Sequence, residues 1–198
     1  MSDFYIYLQL GFDHITDLNG YDHILFVVAL CAIYRFKDWR QVLVLVTAFT
    51  LGHSITLALA TLKVIEYSTD LIEFLIPITI LATAVLNFFQ KNTEGLFQKE
   101  QNSKARYPMA MVFGLIHGMG FSNYLRSLLG REESILTPLF AFNVGLEIGQ
   151  IIIVLLVLSL AFLFIDILRV RKHDWTLVVS GMVAGVALTL IKEKWIFE

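Results

Sequence analysis

Six stretches of the chain are apolar for long enough to cross a bilayer, and the polar residues gather between them. The runs cover 18–34, 42–62, 71–90, 107–125, 138–165 and 175–191. Hydrophobic runs of about 17–25 residues with few charges form transmembrane helices. Residues 42–62 contain no Asp, Glu, Lys or Arg, 71–90 contain only Glu73, and 138–165 contain only Glu147. The runs are continuous rather than alternating, which excludes a transmembrane β-barrel. The pattern predicts an all-α, polytopic membrane bundle of about six spans in one domain over 1–198. The 28 residues of 138–165 reach roughly 42 Å as a helix, against a hydrocarbon core of about 30 Å, so this span should tilt or emerge. Pro138 suits the first turn of that helix, where its missing N–H leaves nothing unpaired.

Two segments fall outside the six runs. Residues 1–17 lack the basic start and small-residue cleavage site of a signal peptide. Their apolar patch (Phe4, Ile6, Tyr7, Leu8, Leu10 and Phe12) predicts an interfacial or re-entrant half-helix that returns through the Asn19-Gly20 turn. The polar stretch 91–106 is expected to be a cytoplasmic linker. No internal repeat or low-complexity tract is present.

Basic residues orient the bundle. Arg35, Lys37, Arg40, Lys91, Lys99, Lys104, Arg106, Arg169, Arg171 and Lys172 fall in the loops of one side. Lys63, Arg126, Arg131, Lys192 and Lys194 fall on the other. The richer side is cytoplasmic by the positive-inside rule. Both termini are therefore expected outside, in a plasma (inner) membrane.

Composition narrows the class further. Apolar residues make up 57% and charged residues 16%, whereas a soluble domain carries about 25% charged residues. A net charge of −2 speaks against a nucleic-acid partner. The single cysteine, Cys31, lies in an apolar run and leaves no disulfide framework or Cys-rich metal cluster. The partners expected are the lipid bilayer, a metal ion, and a second copy of the chain through the GxxxG faces Gly114/Gly118, Gly145/Gly149 and Gly181/Gly185. Such faces also serve ordinary helix packing.

Ionisable residues inside apolar spans are costly and mark functional sites by default. Asp22 and His23 open the first span, His53 and Ser54 lie in the second, Glu73 in the third and His117 in the fourth. Asn143, Glu147 and Gln150 form one stripe on the fifth, spaced i, i+4, i+7. With the orientation above, all of these fall in the outer half of the membrane, which predicts a shared polar cavity opening outward. A lone buried histidine is as readily an interhelical hydrogen-bond residue as a metal ligand. Asp22 also suits a helix N-terminus, and Asn143 is as suited to orienting Glu147 as to binding an ion. Glu147 has the fewest alternatives, since no Lys or Arg shares its depth and its partner must be a histidine, a proton or a cation. Pro77 cannot donate to the Glu73 carbonyl, so a kink there would free a second oxygen beside the Glu73 carboxylate. Imidazole and carboxylate together suit Ni(II), Zn(II), Co(II) or Fe(II). There is no HExxH helix, P-loop or Ser-His-Asp order.

The motifs resemble the HupE/UreJ family of membrane proteins along nearly the whole chain. His14-Ile-Thr-Asp-Leu-Asn-Gly-Tyr-Asp22-His23-Ile-Leu-Phe26 is similar to its opening signature, and Phe49-Thr-Leu-Gly-His53-Ser54 to its second-span motif. Ile72-Glu73-Phe-Leu-Ile, Phe113-Gly-Leu-Ile-His117-Gly118 and Phe142-Asn143-Val-Gly-Leu-Glu147-Ile-Gly149-Gln150 resemble the later ones. The seven residues between His14 and Asp22 make a longer spacing than the family pattern usually has. The resemblance implies a nickel permease or metal-uptake accessory. It implies His14, Asp22, His23, His53, His117 and Glu147 as metal-path residues, with Ser54, Glu73, Asn143 and Gln150 in support. The competing reading is an intramembrane zinc hydrolase on the same ligands, in which Ser54 or Glu73 assists proton transfer to or from a zinc-bound water. Transport is the favoured reading and an enzyme the alternative. A structural metal in a sensor or assembly subunit is the third.

Overall fold

A computed structural model describes residues 3–90, 96–129 and 135–196, and all regular structure among them is helical. Seven helices follow in chain order: α1 (Asp3–Thr16), α2 (Asp22–Cys31), α3 (Trp39–Thr61), α4 (Thr69–Phe88), α5 (Leu96–Leu129), α6 (Leu136–Ala161) and α7 (Lys172–Glu193). A 3₁₀ turn, Phe36–Asp38, leads into α3, and a π-helical stretch, Phe162–Ile167, continues α6. Four of these segments are long and apolar enough to cross a membrane: Phe36–Thr61, Thr69–Phe88, Leu136–Ile167 and Lys172–Glu193.

The expected spans 18–34 and 107–125 take different forms. The first contains a helix of only 10 residues, α2, which is roughly 15 Å long and reaches half-way through a bilayer. Its last carbonyls have no partner within the helix. Asn87 Nδ2 donates to the Ala29 carbonyl at 2.7 Å, and Thr176 Oγ1 donates to the Ala32 carbonyl at 3.0 Å. These two bonds come from the last turn of α4 and the first turn of α7, so α2 ends at the edge of the bundle and begins, at Asp22 and His23, within it. Asn87 also donates to Ser180 Oγ and accepts from Arg106 Nη1, while Arg106 Nη2 donates to Gln90. One polar knot thus ties α2, α4, α5 and α7 together. The other run lies in α5, which has 34 residues and begins at Leu96. The helix therefore extends into the stretch expected as a linker, where Gln98, Lys99, Glu100 and Gln101 are good helix formers. Residues 91–95 lie outside the described residues.

The N-terminal segment is a helix that ends before the Asn19-Gly20 turn, where Asp17 Oδ1 accepts from the Asn19 N–H at 2.8 Å. It packs along α6. A Cβ at Gly11 would run into the Phe142 carbonyl, one at Gly145 into the Leu8 carbonyl, and one at Gly149 into Ile15. The α3–α5 pair is built the same way. A Cβ at Gly52 would strike the Met111 carbonyl, and Cβ atoms at Gly114 and Gly118 would strike those of Phe49 and His53. Two of the three GxxxG faces are thus filled from within the chain. Gly181 and Gly185 meet nothing within 4 Å among the described residues.

This packing makes a sharp contrast testable. Gly145→Ala places a Cβ against backbone that cannot rotate away, and should lower stability by about 1–3 kcal/mol or more. Gly181→Ala should leave it unchanged or raise it by up to about 1 kcal/mol, because alanine is the better helix former. Thermal unfolding of the two variants in detergent measures the difference.

Candidate metal centre

Four helices each bring one histidine to the same place: His14 ends α1, His23 opens α2, His53 lies within α3 and His117 within α5. Ring nitrogens of His14, His23 and His53 all lie within 4.8 Å of one another. The His23 ring centroid is 4.6 Å from that of His14, 5.8 Å from that of His53 and 5.2 Å from that of His117, so His23 is the hub. His23, His53 and His117 are buried, at 3%, 0% and 1% exposure. The glycine contacts seat them. Gly114 and Gly118 let α5 close on α3 beside His53, and Gly149 receives Ile15, the neighbour of His14.

Hydrogen bonds fix which nitrogens are free. His117 Nδ1 faces the Phe113 carbonyl at 2.8 Å. A carbonyl only accepts, so Nδ1 carries the proton and Nε2 keeps its lone pair. His23 Nδ1 lies 2.9 Å from Asp22 Oδ1, which also accepts from the His23 backbone N–H at 2.8 Å. That carboxylate holds the His23 tautomer with Nε2 free, as the outer partner of a metal-bound histidine does. His14 Nε2, His23 Nε2, His117 Nε2 and both nitrogens of His53 are sealed from solvent without a hydrogen-bond partner. Buried polar atoms of this kind cost about 1–3 kcal/mol each if nothing meets them. Aromatic rings enclose the group. Phe121 lies 3.9 Å from the His14 ring, Phe49 5.1 Å from His117, and Phe142 stacks on His53 at 6.3 Å, all between centroids. Neutral imidazoles in a dry aromatic shell suit a divalent transition metal.

The remaining candidates from the sequence sit elsewhere. Asp22 supports His23. Glu147 Oε1 accepts from Thr47 Oγ1 at 2.6 Å, and its Oε2 is buried without a partner. Gln150 Oε1 accepts from Thr50 at 2.7 Å, and Asn143 Oδ1 accepts from Ser54 at 2.6 Å. These three bonds form a polar seam between α3 and α6, separate from the three-histidine group. Glu73 pairs with Lys194 Nζ at 2.5 Å, which ties α4 to the end of α7, where Phe74 also meets Trp195 edge-on. Thr47 and the aromatic shell were missed by sequence reasoning. The spacing from Thr47 to Thr50 and Ser54 put all three on one face of α3, and that was the available signal.

A family model described as HupE / UreJ protein matches residues 1–198, and the chain belongs to that family of integral membrane proteins. Membership implies a permease-type function for a metal such as nickel or cobalt. No curated protein and no solved structure is matched by this chain.

The polar seam yields a prediction about stability. Thr50→Val keeps the side-chain shape but leaves the fully buried Gln150 carbonyl without its donor, so the variant should lose about 1–3 kcal/mol. Thermal unfolding in detergent checks it.

Proposed function

We propose that the chain is a membrane permease for a divalent transition-metal cation, nickel in the first place. In this reading, His14, His23, His53 and His117 hold the ion in transit. The observation that carries it is the convergence of four imidazoles whose sealed nitrogens have no protein partner. Neutral imidazoles leave the charge of a divalent ion offset only by Asp22, acting through His23. The cluster lies in the outer half of the bundle, with both termini outside and the chain in the plasma membrane. Zinc and cobalt suit the same donors.

The hydrolase reading finds less support. Both groups that the sequence offered for proton transfer are engaged, Ser54 with Asn143 and Glu73 with Lys194.

Protein purified in detergent without chelator should carry about one nickel, cobalt or zinc ion per chain by mass spectrometry. His53→Ala and His117→Ala should lose it, and their nickel uptake in cells should fall at least about tenfold. Uptake equal to wild type in both variants would contradict the reading. Asp22→Asn should weaken metal binding about 10–100-fold while leaving the stoichiometry at saturating metal unchanged, because it disturbs an orienting partner and removes no ligand. Equilibrium titration with Ni(II) measures this.

A further inference from the structure

A cavity flanks the histidine cluster. It measures about 510 Å³ and lies at the end of α1, with Asp13, His14, Asp17, Asn19 and Phe121 in its wall. His14 belongs both to this wall and to the three-histidine group. Its Nε2 is sealed from solvent and unpartnered, and its ring rests on Phe121. The His14 side chain therefore stands between the cavity and the cluster, with its Nε2 on the sealed side. Its rim is acidic. Asp13 and Asp17 are both exposed, and neither forms an ion pair among the described residues.

We infer that this cavity is the port through which the metal arrives. Asp13 and Asp17 gather hydrated divalent cations and deliver them to His14, the outermost of the four imidazoles. The inference rests on the reading of the histidine cluster as a metal site. The two carboxylates act through their field, not as inner-sphere ligands, because both are open to solvent and compete with water. Like-signed charges lining a cleft raise the local cation concentration and the association rate, and salt screens the effect beyond about 8 Å at physiological ionic strength. Removing Asp13 and Asp17 should therefore slow arrival at the cluster without altering how many ions it holds.

Co(II) is the probe, because its visible absorption reports imidazole coordination. Stopped-flow mixing of Co(II) with the detergent-purified full chain would compare wild type, the Asp13→Asn/Asp17→Asn double variant, and Asp166→Asn, an exposed acid near the far end of the α6 rod. At low salt the double variant should associate about 3–10-fold more slowly than wild type, with the same Co(II) stoichiometry and spectrum. The gap should close at high salt, and Asp166→Asn should match wild type throughout. A double variant as fast as wild type at low salt, with wild type binding Co(II), overturns the port alone. Wild type that binds no Co(II), or His53→Ala protein with an unchanged Co(II) spectrum, overturns the histidine-cluster reading and the port with it.

Discussion

A neutral imidazole nitrogen sealed away from water needs a proton donor or a cation to face. In this chain each of four histidines, from four helices, has one such nitrogen left without either by the protein itself. The surrounding rings of Phe49, Phe121 and Phe142 keep water from answering the need. The hydrogen bonds that do exist make the lone pairs more available. The Phe113 carbonyl and the Asp22 carboxylate each take the Nδ1 proton of one ring and leave its Nε2 free. A cluster assembled only for helix packing would have those nitrogens bonded across the interface, as Asn87 and Thr176 are at the other end of α2.

Helix-to-helix distance is what brings the rings together. α3 and α5 approach until a Cβ on Gly52, Gly114 or Gly118 would collide with opposing backbone, and α1 lies equally close on α6. Without a hydrophobic driving force between helices in lipid, such small-residue seams supply the packing that holds a membrane bundle. Here they also set the geometry of the site, because His53, His117 and His14 each sit within a turn of one of these contacts. The short α2 completes the arrangement. It begins within the bundle, where His23 meets His53 and His117, and ends at the bundle's edge, with its last carbonyls satisfied by the terminal turns of α4 and α7.

Much of this was legible in the sequence, and what escaped it has physical causes. Continuous apolar runs with isolated polar residues marked an all-helical membrane bundle, and the structure is all-helical among its described residues. The motifs around His14, His23, His53 and His117 pointed to the family that the chain belongs to. Hydropathy could not tell that 18–34 holds a 10-residue helix, because the stop is enforced by side chains of α4 and α7 far along the chain. Nor could it tell that Lys194 meets Glu73, a pairing made only when the chain folds. Depth in the membrane placed Glu147 in one layer with the histidines. In the structure Glu147 meets Thr47, six residues before His53 on α3 and roughly 9 Å along its axis, so its carboxylate sits at another level of the α3–α6 seam. The long spacing between His14 and Asp22 is absorbed by the Asp17–Asn19 turn, and His14 still meets His23.

The most direct test of the account is X-ray absorption spectroscopy on the nickel-loaded wild-type protein, read for the multiple scattering that imidazole rings add to the metal's outer shells. The account predicts a first shell of nitrogen and oxygen with three or four imidazoles and no sulfur. A shell of oxygen donors with at most one imidazole would contradict it, and would move the metal from the four histidines to the carboxylate and amides of the α3–α6 seam.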